Sequence, residues 1–251
     1  MAGFPGFDVL LARLAEHRGL RVDELAHVSA VPETEMRAVF DGAAPGPPLL
    51  RRLAPALQLH AEDLFVIASA ALPLEMVPLD PRAGTGVARL AGHAAQLPRA
   101  DRDRLRWLAA SLPQEDRTRS VPETRAYLQY PPGAGGLLMR LLANRNLGWA
   151  AGARAFLSLT GRYWSAATYG QVGHGRKELT PDLLVDYATV LGIRADDLAA
   201  LTGIVVPDGT PPPTGATADV TGLIWDVRRL TNDQVWQLGD TAQGMRRLSA
   251  P

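Results

Sequence analysis

Apolar residues near the start of the chain are spaced for one side of a helix. Phe7, Leu10, Leu11, Leu14 and Ala15 recur at intervals of three and four, which a 3.6-residue turn brings onto one face. Gly19 predicts the end of that helix. The same reading predicts a short second helix over Val22–Val28, with Leu25 and Val28 inward. A third spans Glu33–Phe40, with Pro32 suited to its first turn and Asp41-Gly42 closing it. Leu50, Leu53, Ala54 and Leu57 share a face of a fourth, Leu49–Leu57, where Pro55 predicts a kink or a shifted boundary. His60 to Asp63 starts a fifth, Leu64–Ala71. After a linker over Pro73–Gly86, the segments Val87–Gln96 and Ala100–Leu112 predict a helical hairpin turned at Leu97-Pro98.

Pro113–Tyr130 is polar and predicts irregular structure, and Pro131–Gly136 predicts a linker. A second run of helices begins at Leu137–Asn144. Within it a helix started by Ser165 as N-cap buries Tyr169 and Val172 and exposes Ala166, Ala167, Thr168, Gly170 and Gln171. Val206–Asp219, with Pro211-Pro212-Pro213, predicts an extended linker. Val220–Leu230 and Thr231–Leu248 predict a last hairpin with Thr231 as turn and N-cap. No stretch alternates with period two, so the fold class is all-α.

The pattern repeats. Leu11–Leu20 aligns with Leu138–Leu147, and Leu49–Leu64 with Leu183–Leu198. In the second pair Leu49, Leu50, Ala54, Leu57, Ala61, Asp63 and Leu64 meet identical residues, and Leu90 and Leu97 match Leu223 and Leu230. The chain therefore reads as a tandem duplication of one unit, a helical domain plus a hairpin. The boundaries predicted are 1–72, 73–132, 133–205 and 206–251. The second copy carries about six extra residues before its third helix, within Arg154–Tyr163.

Charge changes the picture locally. The chain has 26 basic and 26 acidic residues, yet Thr124–Lys177 contains no Asp or Glu and holds Arg125, Arg140, Arg145, Arg154, Arg162, Arg176 and Lys177. At the chain's average density roughly five or six acids would fall there, so a local positive field sits inside a neutral total. Beside the small and hydrogen-bonding residues after Ser165, it points to a surface that approaches base edges with arginines on phosphate. A solvated basic face on an ordinary helical domain is the other reading.

On these residues the chain resembles the Cro/C1-type (XRE-family) transcriptional regulators, over roughly 7–70 and 136–203. Gly42 with its proline loop and Ala61-Glu62-Asp63-Leu64 match the family scheme in the first copy. Gly175, Arg176 to Pro181 and Ala195-Asp196-Asp197-Leu198 match it in the second. The resemblance implies two lambda-repressor-like five-helix domains whose third helix reads the major groove. Both copies depart from it. Residues 21–26 keep the buried Leu25 and Ala26 of the family's second helix, whereas 148–153 lose the leucine. The first reading helix carries Glu33 and Glu35, offset only by Arg37, and is expected to touch DNA weakly or not at all. The second is expected to read the groove, with Ser165, Ala166, Thr168 and Gln171 toward bases and Arg145, Arg154, Arg162, Tyr163, His174, Arg176 and Lys177 toward the backbone.

The expected function is sequence-specific binding of double-stranded DNA by a transcriptional regulator, as a homodimer, with a protein partner possible through the first domain. The alternative is a protein-interaction module that kept the fold and lost DNA. Enzymatic chemistry lacks support: there is no cysteine, no Gly-x-Ser-x-Gly and no phosphate loop. His17, His27, His60, His93 and His174 fall on separate elements, so neither metal nor cofactor is expected. Trp107, Trp225 and Trp236 suit packing between hairpins of the two halves or of two chains. Trp149 and Trp164 suit core filling in the gap left by Gly152, or Tyr163 and Trp164 a place against the DNA backbone. The first residues lack a basic and apolar leader, and Leu64–Leu74 is too short to span a bilayer; a cytoplasmic protein without membrane contact is expected.

Overall fold

Fourteen α-helices and no strand make up the described residues of the computed structural model, which are 3–117, 121, 123–207 and 213–249. Five helices come first: α1 (Phe7–His17), α2 (Val22–Val28), α3 (Glu33–Phe40), α4 (Pro47–Ala56) and α5 (Ala61–Ile67). A first pair, α6 (Gly84–Ala94) and α7 (Arg99–Ser111), follows. The order then recurs as α8 (Ala134–Ala143), α9 (Trp149–Thr160), α10 (Ala166–Gly173), α11 (Pro181–Leu191) and α12 (Ala195–Thr202), with a second pair, α13 (Gly215–Asp226) and α14 (Asn232–Ser249). Among the described residues no helix is long and apolar enough to cross a membrane.

The apolar stripes predicted from spacing face inward: Leu10, Leu11, Leu14, Leu50, Leu53, Ala54 and Leu57 are buried. Val28 is the exception, exposed at the end of α2. Several boundaries differ for local reasons. α4 starts at Pro47, where a missing N–H costs nothing, and ends one residue after Pro55, which cannot donate to the preceding turn. α5 stops at Ile67 because the chain reverses there: Ser69 takes a positive φ and Ala70 N–H donates back to Phe65 O at 2.9 Å. Three stretches read as linker form first turns instead, Gly84–Gly86 in α6, Ala134–Gly136 in α8 and Gly215–Asp219 in α13, the last capped by the Thr214 hydroxyl. Pro211 and Pro212 lie outside the described residues. Thr231 caps α14 as expected: its hydroxyl accepts from Gln234 N–H while the Gln234 side chain accepts from Thr231 N–H.

The extra residues of the second copy lengthen α9 to 12 residues against 7 in α2. That added length has a partner. α6 lies along α9, and the contact is close because small residues line it: a β-carbon on Gly84 would stand 3.7 Å from the Ala151 methyl, and one on Gly92 3.2 Å from the Ser158 hydroxyl.

The predicted hairpins do not close on themselves. α6 packs on α14 and α7 on α13, so each helix takes its main partner from the other copy. The five-helix units exchange contacts in the same reciprocal way, α1 against α12 and α5 against α8. Arg18, just after α1, pairs with Asp197 of α12 at 2.9 and 2.5 Å. Arg145, just after α8, pairs with Asp63 of α5 at 2.9 and 2.7 Å. Arg18 and Arg145 are aligned positions of the repeat, as are Asp63 and Asp197. A self-complementary exchange of this kind is the mark of a two-fold dimer interface, here built inside one chain.

The side chains of Asp63 and Arg145 are 0% and 1% exposed. Removing one partner of such a pair strands an ion in the interior. Asp63→Ala is expected to cost roughly 3–5 kcal/mol of unfolding free energy by urea titration, and the double variant Asp63→Leu with Arg145→Met to recover most of it. Asp23→Ala, at an exposed pair, is expected to leave the urea midpoint almost unchanged.

Candidate nucleic-acid interface

α10 begins where the sequence places it. The Ser165 hydroxyl accepts from Thr168 N–H at 3.3 Å, satisfying one of the orphan donors of the first turn. Tyr169 and Val172 point into the core, where Tyr169 meets Phe156 with ring centroids 4.7 Å apart. Ser165, Ala167 and Gln171 are exposed and Ala166 is half-exposed. Two of the five residues expected to be exposed are buried instead. Thr168 turns its hydroxyl onto that of Ser165 at 3.1 Å. Gly170 lies under the indole of Trp149, where a β-carbon would come within 2.6 Å of the ring.

Gly173 is covered in the same way, 2.7 Å being left between a β-carbon and the Tyr130 ring. Tyr130 belongs to the segment before α8, and its hydroxyl accepts from the Trp149 indole N–H at 2.6 Å. Tyr127 packs edge-on against Trp149, and its carbonyl lies 2.9 Å from His174 Nε2. The small residues of α10 thus serve in part to seat the chain's own aromatic rings. His174, expected at phosphate, is committed to this contact. Trp149 is half-buried against the core, as expected, but over Gly170 of α10; a β-carbon on Gly152 would meet Leu142 instead.

The cations of the acid-free stretch have different fates. Arg145 is removed from the candidate set: it is fully buried, held by Asp63, by Leu141 O at 2.9 Å and by Leu191 O at 2.5 Å, and stacked on Trp225. Arg140 is half-buried and donates to Tyr130 O. Arg162 and Tyr163 are exposed in the turn before α10, with Arg162 3.4 Å from Asp182 and 3.9 Å from Asp186. Arg176 and Lys177 are exposed just beyond α10, where their backbone N–H groups both reach Gln171 O. Lys177 also lies over the Trp164 ring at 5.1 Å. Arg154 is exposed on α9. Five expected backbone contacts therefore remain at the surface: Arg154, Arg162, Tyr163, Arg176 and Lys177.

Below Arg162 is a buried polar knot that the sequence did not announce. Asp186 Oδ2, the Trp164 indole nitrogen and the Tyr169 hydroxyl are buried there, none in a well-formed hydrogen bond with a described residue, although the Trp164 N–H faces the Asp186 carboxyl and favours its charged form. Burial pushes the Asp186 carboxyl up from its usual range, and the Arg162 charge opposes that shift. The corresponding helix of the first copy, α3, looks different. Glu33, Glu35 and Asp41 are exposed there, and the lone Arg37 is tied to Glu33 at 2.5 Å.

Among the described residues one group has the residue types of a metal site: His17, Asp196 and Asp197. Arg18 and Arg194 already neutralise its two carboxylates. Comparison with family models, with curated proteins and with solved structures found no match.

Two expectations follow. Gly170→Ala should drive the Trp149 ring from its seat and cost about 1–3 kcal/mol in urea unfolding, an effect that shrinks in a Trp149→Ala background. Asp186 holds its proton more tightly when folded than unfolded, so its contribution is present at low pH and is lost as pH rises through the folded-state value. Asp186→Asn should melt higher than the native chain at neutral pH, and the difference should vanish on acidification in thermal scans between pH 4 and 7.

Proposed function

We propose that the chain binds double-stranded DNA with sequence preference through α10, in the manner of the helix-turn-helix regulators its sequence resembles, and regulates transcription. One observation carries this reading. The exposed edge of α10 is free of carboxylates and bracketed by Arg162 and Tyr163 at one end and Arg176 and Lys177 at the other. Cations so placed suit phosphates on either side of a groove, and the helix N-terminus adds its own attraction for phosphate. Gln171 is the side chain long enough to pair in two places with adenine, and Ala167 suits a thymine methyl. Thr168, engaged inside the fold, takes no part, and His174 is held by its contact with the Tyr127 carbonyl.

Only one of the two third helices has this character, so a chain offers a single reading helix. A symmetric, palindromic site then calls for two chains, and we propose a homodimer on DNA. The acidic α3 supports a second role at the other end of the chain. Its carboxylates suit contact with a basic protein partner, and that contact coexists with DNA binding by α10. No catalytic role is proposed.

Arg162 sits over the buried Asp186, so its removal mixes folding with binding; Arg176 and Gln171 are the cleaner probes. In fluorescence anisotropy on a site selected from random duplexes, Arg176→Ala is expected to weaken binding to all sequences and to lower the slope of log affinity against log salt by about one. Gln171→Ala is expected to lose about 1–3 kcal/mol of discrimination at one base pair. A chain whose affinity for duplex DNA is absent, or indifferent to salt, would overturn the proposal. A nuclease-resistant partner captured through α3 would then favour the interaction module.

A further inference from the structure

The buried polar knot beside α10 belongs to one copy of the repeat alone. The residue aligned with Asp186 in the first copy is Arg52, which is exposed and donates to Ala30 O at 3.1 Å. Tyr169 is the fourth residue of α10; the fourth of α3 is Met36, buried and without a hydroxyl. The five-helix fold is thus complete without a carboxylate or a phenol at these places. An acid put there is destabilising, because it is shut from water with one oxygen outside any well-formed hydrogen bond. The copy that carries it is the one with the candidate reading helix.

The Asp186 side chain is 5% exposed, whereas that of Arg162, with Nε 3.9 Å from its Oδ1, is 49% exposed. The guanidinium therefore turns one side to a buried carboxylate and the other to water. Asp182, one turn earlier on α11, lies 3.4 Å from the same guanidinium and is 72% exposed. The other groups that face Asp186 are the Trp164 indole N–H and, from α10, the Tyr169 hydroxyl. Lys177 lies beyond them, over the Trp164 ring. Guanidinium and indole keep their charge states at every relevant pH, and burial keeps the Tyr169 hydroxyl protonated, so the carboxylates set the charge of the knot. Salt screens the exposed pair with Asp182 and acts much less on Asp186. Arg162 cannot swing out to a phosphate without leaving an ionised Asp186 uncompensated in the interior, which opposes the movement.

We propose that Asp186 and a DNA phosphate compete for Arg162, so that the buried carboxylate is a brake on binding at α10 which a proton releases. With Asp186 ionised, Arg162 is drawn inward. With Asp186 protonated, it is free to reach the backbone. The exchange is reciprocal: a phosphate that takes Arg162 strengthens proton binding at Asp186 by the same factor as the proton strengthens DNA binding. The brake rests on the DNA reading of α10 proposed above, whose regulation it supplies.

Carboxyl carbon resonances of the native chain, followed through a pH titration with and without a duplex selected from random sequence, test this at Asp186 itself. With DNA bound, Asp186 is expected to titrate at higher pH, its proton affinity rising roughly 5- to 10-fold. In fluorescence anisotropy at neutral pH, Asp186→Asn is expected to bind that duplex about 5- to 10-fold more tightly than the native chain, a gap that closes on acidification. Asp182→Asn, which removes the exposed carboxylate beside the same guanidinium, should keep the native pH dependence. Adding Asp186→Asn to Arg162→Gln should bring no gain, since the group competed for is already absent. The carboxyl titration needs no variant and stands even where one fails to fold. An Asp186 titration that DNA leaves unmoved, or equal binding by the native chain and Asp186→Asn across the pH range, would overturn the brake and leave the DNA reading intact. A chain that binds no duplex at any pH would overturn both.

Discussion

Everything in this molecule is arranged about a fully buried ion pair between its two halves. Arg145 and Asp63 come from different copies of the repeat, and both are sealed from water. An ion in that setting cannot be released without a partner, so the two copies cannot separate by sliding or tilting; they are joined or the junction unfolds. The aligned pair, Arg18 with Asp197, repeats the bond at the other side of the interface. Arg228, almost fully buried, then ties the last helical pair to this centre through Glu62 and Asn144 O.

Reciprocity at the junction does not extend to the whole chain. α6 lies along α9 and α13 along α11, so both paired-helix elements lean on the second five-helix unit. The extra turn of α9 and the small residues facing it explain the preference: a longer helix offers a longer face, and glycine and alanine let two backbones come close. The first unit has no such platform, and α2 ends with Val28 in solvent. The two runs of helices share one order, and the longer α9 makes them unequal.

The helices, their order and the repeat were legible because burial imposes a period, and a period survives in one dimension. The caps at Ser165 and Thr231 were legible for a similar reason, each being a local exchange over three residues. The site was less so. Asp63 and Asp197 stood out as identical across the copies, and Arg18 and Arg145 aligned as well, yet no local rule joins residues 82 positions apart. Arg145 therefore read as a surface cation. Gly170 and Gly173 carried a correct signal, close approach, but the sequence could not say to what. The visitors are Trp149 and Tyr130, and the aromatic run Tyr127, Tyr130 was the only hint of them.

Charge counted along the chain and charge counted in space give different fields. Of the seven cations between Thr124 and Lys177, Arg145 is spent inside, Arg140 is half-buried, and Arg162 has Asp182 and Asp186 beside it. Arg125, Arg154, Arg176 and Lys177 remain exposed, and Glu178 is exposed next to them. Each phosphate neutralised contributes close to one unit of salt slope. With so few free cations near α10, DNA binding as proposed would have only a modest nonspecific component, and the neutral total adds no long-range attraction. On that proposal further affinity would have to come from a second reading helix, which the acidic α3 does not resemble. The internal pairing that resembles a dimer would then not replace one: the chain spends its two-fold interface on holding itself together, and the proposed symmetric site would call for another copy.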